Sequence, residues 1–201
     1  MLLNLLQKRY SCRNFSKRKI SKKVISYMLE CGRLSASGGN AQPWKFGVIT
    51  DVDIIENISK AASVNYSQSW IANAPLIIVL CTQLYADTKD EYCLNRFPSV
   101  KDSIRELDNK LYSIINMEEH QTKIPGEHMV LAALEHGIYS TWISHVDCEK
   151  VGEVIGIKDY LVTNVIAFGY PNQQEKPTPK KKLNDIVFVN YSIKTEGDYY
   201  V

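Results

Sequence analysis

The chain has 201 residues, 24 basic against 22 acidic side chains, and 45% hydrophobic residues. That is enough apolar material for a core of ordinary size, so a single domain over 1–201 is the expectation. A formal charge of +2 is too small a surplus to carry a nucleic-acid or anionic-membrane surface, and neither partner is expected.

The opening MLLNLLQKRYSCR places its basic residues after a short apolar run, the reverse order of a secretory signal, so no export signal is read. Ser21 followed by KKVISYMLECGRL sets apolar residues at 24, 25, 28 and 29, a helical period with Ser21 as its cap. A polar loop, SASGGNAQP, leads to WKFGVIT, which is short, rich in β-favouring residues and predicted to be a strand. DVDIIENISKAA is a predicted helix, and the continuous apolar run from Pro75 to Cys81 is a predicted strand covered on both faces. The longest apolar stretch, Ala74 to Cys81, falls well short of the roughly 20 residues a membrane-spanning helix needs.

Residues 84–118 form a polar, variable region with a weakly amphipathic stretch from Val100 to Ile115, expected to lie over the body of the protein. Gly126 to His136 reads as a helix apolar nearly all round, suited to a core or a subunit interface, with Gly137 as its C-terminal cap. A short helix on CEKVGEVIGI precedes the predicted strand LVTNVIAFGYP, and residues 184–201 read as an extended arm. Helices and strands interleave, the pattern of an α+β or α/β sandwich. The five cysteines, Cys12, Cys31, Cys81, Cys93 and Cys148, are widely spaced and include no C-x-x-C pair, so reduced thiols in a cytoplasmic protein are expected.

Four constellations carry chemistry. Arg9, Ser11 and Arg13 alternate, so an extended backbone points all three the same way, and two guanidinium forks with a hydroxyl suit a phosphate; the plain alternative is a basic solvated turn. Ser37, Asn40 and Gln42 stand in a loop with Gly38 and Gly39, able to meet the edge of a flat polar ring or to serve only as a turn. Thr141, Trp142, Ile143 and Ser144 follow the apolar helix, with Trp142 either a core anchor or a cofactor contact. Lys180 and Lys181 belong to a basic run that is by default a solvated charge cluster. Of the histidines, His128 and His136 would lie about 12 Å apart on one helix, too far for a shared ion, and no metal is expected.

Taken in order, these segments resemble the FMN-dependent nitroreductase family. RYSCRNFS at 9–16 is similar to the family's R-x-S-x-R-x-F, and SASGGNAQPWKF at 35–46 to its P-S-x-x-N-x-Q-P-W-x-F loop, the most specific match. GEHMVLAALEHGIYSTWIS at 126–144 is similar to its dimer helix and following turn, and VIAFGYPNQQEKPTPKKKLNDIV at 165–187 to its closing I-x-x-G-Y-P. The resemblance implies a mainly antiparallel sheet of four to five strands flanked by helices, a homodimer, and one FMN at each of two subunit interfaces. By position it implies that Arg9, Ser11, Arg13 and Lys180 or Lys181 hold the phosphate and ribityl chain, that Ser37, Asn40 and Gln42 meet the ribityl or ring edge, and that Thr141 to Ser144 line one face of the ring.

The implied activity passes electrons from NADH or NADPH through FMN to a small, flat oxidised acceptor by a ping-pong mechanism, without a catalytic side chain. Two alternatives stay open: a non-catalytic or redox-responsive FMN protein, and a relative with specialised chemistry such as flavin destruction or dehalogenation. The chain departs from the pattern at Ala36, at Ser144 where the family often has glycine, and at Glu127 and His128 where it often has Gln and Asn.

Overall fold

The computed structural model describes residues 2–63, 67–83, 98–109, 111–112 and 121–187. The variable region 84–118 therefore falls partly outside the described residues, and the arm 184–201 mostly so.

The first element is a short helix, α1 (Leu2–Lys8), in a stretch read from sequence only as an apolar run. Helix α2 (Lys22–Arg33) forms where expected, and the Ser21 hydroxyl accepts from the Val24 N–H at 3.4 Å. After a single 3₁₀ turn at Gly38–Asn40 come β1 (Trp44–Ile49) and α3 (Val52–Ala61), whose first free N–H groups, those of Asp53 and Ile54, donate to the Asp51 carboxylate. Strand β2 (Leu76–Gln83) follows, and α4 (Lys101–Glu106) occupies part of the stretch read as weakly amphipathic. Then come α5 (Lys123–Glu135), β3 (Tyr139–Ile143), α6 (Cys148–Val154) and β4 (Tyr160–Gly169). No helix among the described residues is long and apolar enough to cross a membrane.

The four strands form one antiparallel sheet in the order β1-β2-β4-β3. Strand β2 is central and its side chains alternate between two cores, as a run apolar at every position must. Leu76, Ile78 and Leu80 pack with Met28 of α2 and with Met129 and Ala133 of α5, while Ile77, Val79 and Cys81 pack with Ile55 and Ile58 of α3 and Val151 of α6. The sheet is thus the middle of three layers.

Helix α5 starts three residues earlier than the sequence suggests, with Pro125 in the first turn, where its missing N–H leaves no intrahelical bond unmade. Gly137 ends it at φ 70°, the left-handed position predicted for it. Its apolar surface is used within the chain: Met129, Val130, Ala132 and Ala133 fill the core shared with α2 and the sheet, and Leu134 reaches the opposite core. The helix is therefore a core element, and a surplus of apolar surface on it is not an argument for a subunit interface.

Strand β3 lies at a sheet edge, where unpaired backbone groups invite association, and the amino-terminal segment covers it. Ser11 bridges Ser140 in parallel, the Cys12 N–H donates to the Ser140 carbonyl at 3.2 Å, and Thr141 Oγ1 donates to the Cys12 carbonyl at 2.6 Å. Tyr10 and Cys12 point into the core, where the Tyr10 and Tyr139 rings meet at 4.6 Å. The segment continues past Phe15, which bridges Pro171, and Asn172 Nδ2 donates to the Asn14 side chain and to the Phe15 carbonyl.

Candidate functional site

The ladder between β3 and β4 ends at the pair Ile143 and Val165, and a cavity of about 560 Å³ opens beyond it. Its wall comes from three places: Lys123 and Glu127 on the first turns of α5, the run Trp142, Ile143, Ser144, Val146 and Cys148, and Thr163 with Asn164 on β4. The volume is within the range of small-molecule pockets, roughly 300–1,000 Å³, and the mixture of apolar surface with a few polar groups is typical of them.

Each wall is held from behind. Gly126 lets α5 approach the sheet, for a Cβ there would lie 2.5 Å from Trp142 Cη2 and 2.7 Å from Leu80 Cδ1. The turn after Ser144 is fixed by Gln68, whose buried amide donates to the His145 carbonyl at 2.7 Å, and by the Asp147 N–H, which donates to the Ala61 carbonyl at 3.1 Å. Asp147 also caps α6, accepting from the Lys150 N–H at 3.0 Å, and the cap together with the Lys150 ammonium holds its carboxyl below the ordinary value. Burial, with Asp147 beside it, holds the Cys148 thiol above its ordinary value, so at neutral pH it offers the cavity a protonated and weakly polar surface.

The third wall depends on an irregularity. Leu80 pairs with Asn164 and Cys81 with Val162, which leaves Thr163 as the extra residue of a bulge. Val162 and Val165, three apart, consequently face the same core, and Thr163 and Asn164 turn toward the cavity. The Thr163 hydroxyl donates to the Leu80 carbonyl at 3.1 Å and meets Thr122 Oγ1 at 2.8 Å.

Of the residues singled out by sequence, Trp142, Ile143 and Ser144 stand in this wall, whereas the Thr141 side chain is spent on the Cys12 carbonyl. Arg9, Ser11 and Arg13 lie on the segment docked along β3, opposite in phase to buried Tyr10 and Cys12, with the Arg13 guanidinium 5.8 Å from the Trp70 ring centroid. The structure therefore joins the first motif to the third across about 130 residues of sequence, through the Ser11–Ser140 bridge. Lys180 and Lys181 are exposed in an irregular segment outside the cavity wall.

Ser37, Asn40 and Gln42 are also outside this chain's cavity wall. Their loop is built from its own polar groups: Ser37 Oγ accepts from the Gln42 N–H at 3.0 Å, and Gln42 Nε2 donates to the Asn40 carbonyl at 3.3 Å. Asn40 and Gln42 both hold positive φ, 55° and 47°, and both are exposed. The departure at His128 has a partner, since its Nδ1 lies 2.7 Å from the Ser35 hydroxyl.

Sequence reading missed Gln68, Lys123, Thr163 and Asn164. The valine spacing at 162 and 165 is a signal for the bulge, while nothing local marks Gln68 among other polar loop residues. It also missed that Tyr139–Ile143 is a strand, although YSTWI is rich in β-branched and aromatic residues.

Comparison with known proteins gives a consistent picture. The model of the nitroreductase family matches residues 6–170. The chain is 26% identical over 200 residues to the oxygen-insensitive NADPH nitroreductase of Helicobacter acinonychis, covering 91% of this chain and 93% of the relative. It is 24% identical over 214 residues, covering 94% of this chain and 98% of the relative, to the major NAD(P)H-flavin oxidoreductase of Aliivibrio fischeri. Among solved structures, an FMN-dependent nitroreductase from Clostridium difficile superposes with a TM-score of 0.72 at 20% identity, covering 94% of this chain and 99% of that one.

Proposed function

The chain belongs to the nitroreductase family, and from that premise we propose that it binds FMN and passes electrons from NADH or NADPH to a small, flat oxidised acceptor such as a nitroaromatic or a quinone. The observation that carries this reading is the docking of the Arg9–Arg13 segment along β3, which sets a phosphate-suited motif beside the strand that ends in the cavity. The cavity fits the cofactor's chemistry: Trp142, Ile143 and Val146 give apolar surface for a flat ring, and Ser144, Lys123, Glu127 and Asn164 give polar groups for its edge.

When bound, FMN supplies the redox chemistry, taking two electrons from the nicotinamide and giving them to the acceptor. The chain's own residues bind and orient. Arg9, Arg13 and Ser11, with Lys180 or Lys181, would neutralise and fork the phosphate; the wall from Trp142 to Ser144 would receive one face of the ring and exclude water from it. Asn40 and Gln42 are exposed, Ser37 is half-buried, and all three lie away from the cavity of their own chain, which supports a homodimer in which the loop of a second copy completes each site. The nicotinamide and the acceptor occupy one position in turn, a ping-pong sequence that needs no side-chain acid or nucleophile. We place this chemistry in a single domain and in the cytoplasm.

The test is an absorbance spectrum after adding FMN and removing the excess by gel filtration, followed by anaerobic addition of NADH or NADPH. A retained flavin band that bleaches is the expected result. Retention without bleaching would point to a non-catalytic flavoprotein, and no retention would refute the assignment of the cavity.

A further inference from the structure

Among the described residues, three other than glycine hold a left-handed backbone: Asn40 at φ 55°, Gln42 at 47° and Gln121 at 57°. All three belong to one contact, for the Gly38 N–H donates to Gln121 Oε1 at 2.9 Å across 83 positions of sequence. A left-handed conformation is unfavourable for a residue with a Cβ, less so for asparagine than for glutamine. Its concentration in one loop and in the residue that meets that loop marks a backbone held in a form it would not keep alone.

The loop is tied at both ends. The Ser35 hydroxyl lies 2.7 Å from His128 Nδ1 on α5, and the Pro43 carbonyl accepts from the Gln83 N–H of β2 at 2.9 Å. Between these ties, three backbone N–H groups are spent inside the loop, that of Asn40 on the Ser37 carbonyl, that of Ala41 on the Gly38 carbonyl and that of Gln42 on the Ser37 hydroxyl, each at 3.0 Å. The Gly38 N–H instead leaves the loop for Gln121, which stands two positions before α5; among the described residues it is this hydrogen bond that fastens the middle of the loop to the rest of the chain. A backbone N–H can only donate, so the oxygen of the Gln121 amide is the atom that faces it. The approach is close: a Cβ on Gly38 would lie 3.3 Å from Gln121 Nε2.

The loop held in this way keeps one group unspent. Gln42 Nε2 donates to the Asn40 carbonyl, whereas the Asn40 side chain is exposed and has no partner among the described residues. We propose that Gln121 is a positioning residue: by holding Gly38 it fixes the left-handed turn at Gly39 and Asn40, and so sets the Asn40 amide to hydrogen-bond the polar edge of a flavin bound by a second copy of this chain. This rests on the reading of the chain as a flavoprotein whose loop completes the site of its dimer partner. An amide both donates and accepts, which suits a ring edge that carries carbonyls as well as N–H. Fixing it before the ligand arrives removes an ordering cost from binding.

The test compares wild type with Gln121→Met, which keeps the length of the side chain and removes the acceptor. Hydrogen exchange of the Gly38 amide, read by NMR on the full chain without FMN, should be slow in wild type and faster by tenfold or more in Gln121→Met, while the amides of β2 keep their protection. Titration with FMN should then show affinity about tenfold weaker in Gln121→Met. Gln121→Glu, which retains an acceptor at the same reach, should keep both the protection and the affinity.

A second background ties the effect to Asn40. Asn40→Gly accepts the left-handed backbone freely and removes only the amide, so adding Gln121→Met to it should weaken FMN binding by less than twofold. A full tenfold loss in that background, or FMN affinity in Gln121→Met equal to wild type, overturns the proposal. An unprotected Gly38 amide in wild type overturns the brace alone and leaves the flavoprotein reading standing. Wild type that protects Gly38 but does not retain FMN overturns that reading, and the role given to Asn40 with it.

Discussion

Gly126→Ala sets two effects of known size against each other. Alanine is the better helix former, and an alanine in place of glycine inside a helix is worth about 1 kcal/mol. Against this, the new Cβ would stand 2.5 Å from Trp142 Cη2, 2.7 Å from Leu80 Cδ1 and 3.1 Å from Trp142 Cζ2, where ordinary contact begins at 3.4 Å. The neighbours must give by almost an ångström. Leu80 is fully buried in the central strand, and the indole is a rigid plate that lines the cavity. Overpacking of this kind costs about 1–3 kcal/mol, so a net loss of up to about 2 kcal/mol is expected, or a fall in Tm of up to roughly 8 °C for a chain of this size. Thermal unfolding followed by circular dichroism reads the stability, and FMN titration reads the wall. The variant should lose flavin affinity as Trp142 is driven inward. A variant as stable as wild type with unchanged affinity would show that the contact is soft and that the close approach of α5 does not shape the site.

Arg13→Ala should leave the fold nearly unchanged, since what the exposed guanidinium offers among the described residues is a cation–π contact with Trp70 worth about 0.5–1 kcal/mol, while FMN affinity falls about tenfold to a hundredfold with loss of a phosphate partner. Unaltered affinity in a flavin titration would mean that the phosphate lies elsewhere. Gln68→Leu removes the amide that donates to the Ala62 and His145 carbonyls and should cost about 1–3 kcal/mol, with weaker flavin retention because the turn behind Ser144 loses this anchor; equal urea midpoints for variant and wild type would contradict this. Asp147 has its carboxyl depressed from an ordinary value of 3.8, so its contribution to stability is present above that pH and disappears as pH falls through the lower folded value. Asp147→Ala should therefore cost about 1 kcal/mol at pH 7 as a lost cap and progressively less as the pH falls through the lowered folded value, and a deficit that does not shrink on acidification would rule out the ionised cap as the cause.

The central strand was legible because β2 is apolar at every position from Leu76 to Cys81, as suits a strand covered on both faces. The amino-terminal alternation was legible too: Tyr10 and Cys12 are the residues that enter the core, so Arg9, Ser11 and Arg13 take the other phase. The role of α5 was not. A helix apolar all round can be buried by its own chain or by a partner, and only the positions of α2 and the sheet show that Met129, Val130, Ala132 and Ala133 are buried by the former. The β4 side of the cavity was hidden for a different reason: a bulge moves two polar residues to a new face without changing the composition of the strand. Gln68 was invisible because its value lies in a carbonyl 77 residues away.

The covering of β3 by the amino-terminal segment also bears on biosynthesis. Residues 9–16 leave the ribosome early, yet their partners are Ser140, Thr141 and the turn at 170–172, so they have nowhere to dock until nearly the whole sheet has been made. Strand β2 likewise waits about 80 residues for β4. Cofactor loading should consequently be a late event, occurring on a finished chain rather than a growing one, and nascent chains stalled before residue 160 should capture no flavin, however complete their first helices and strands.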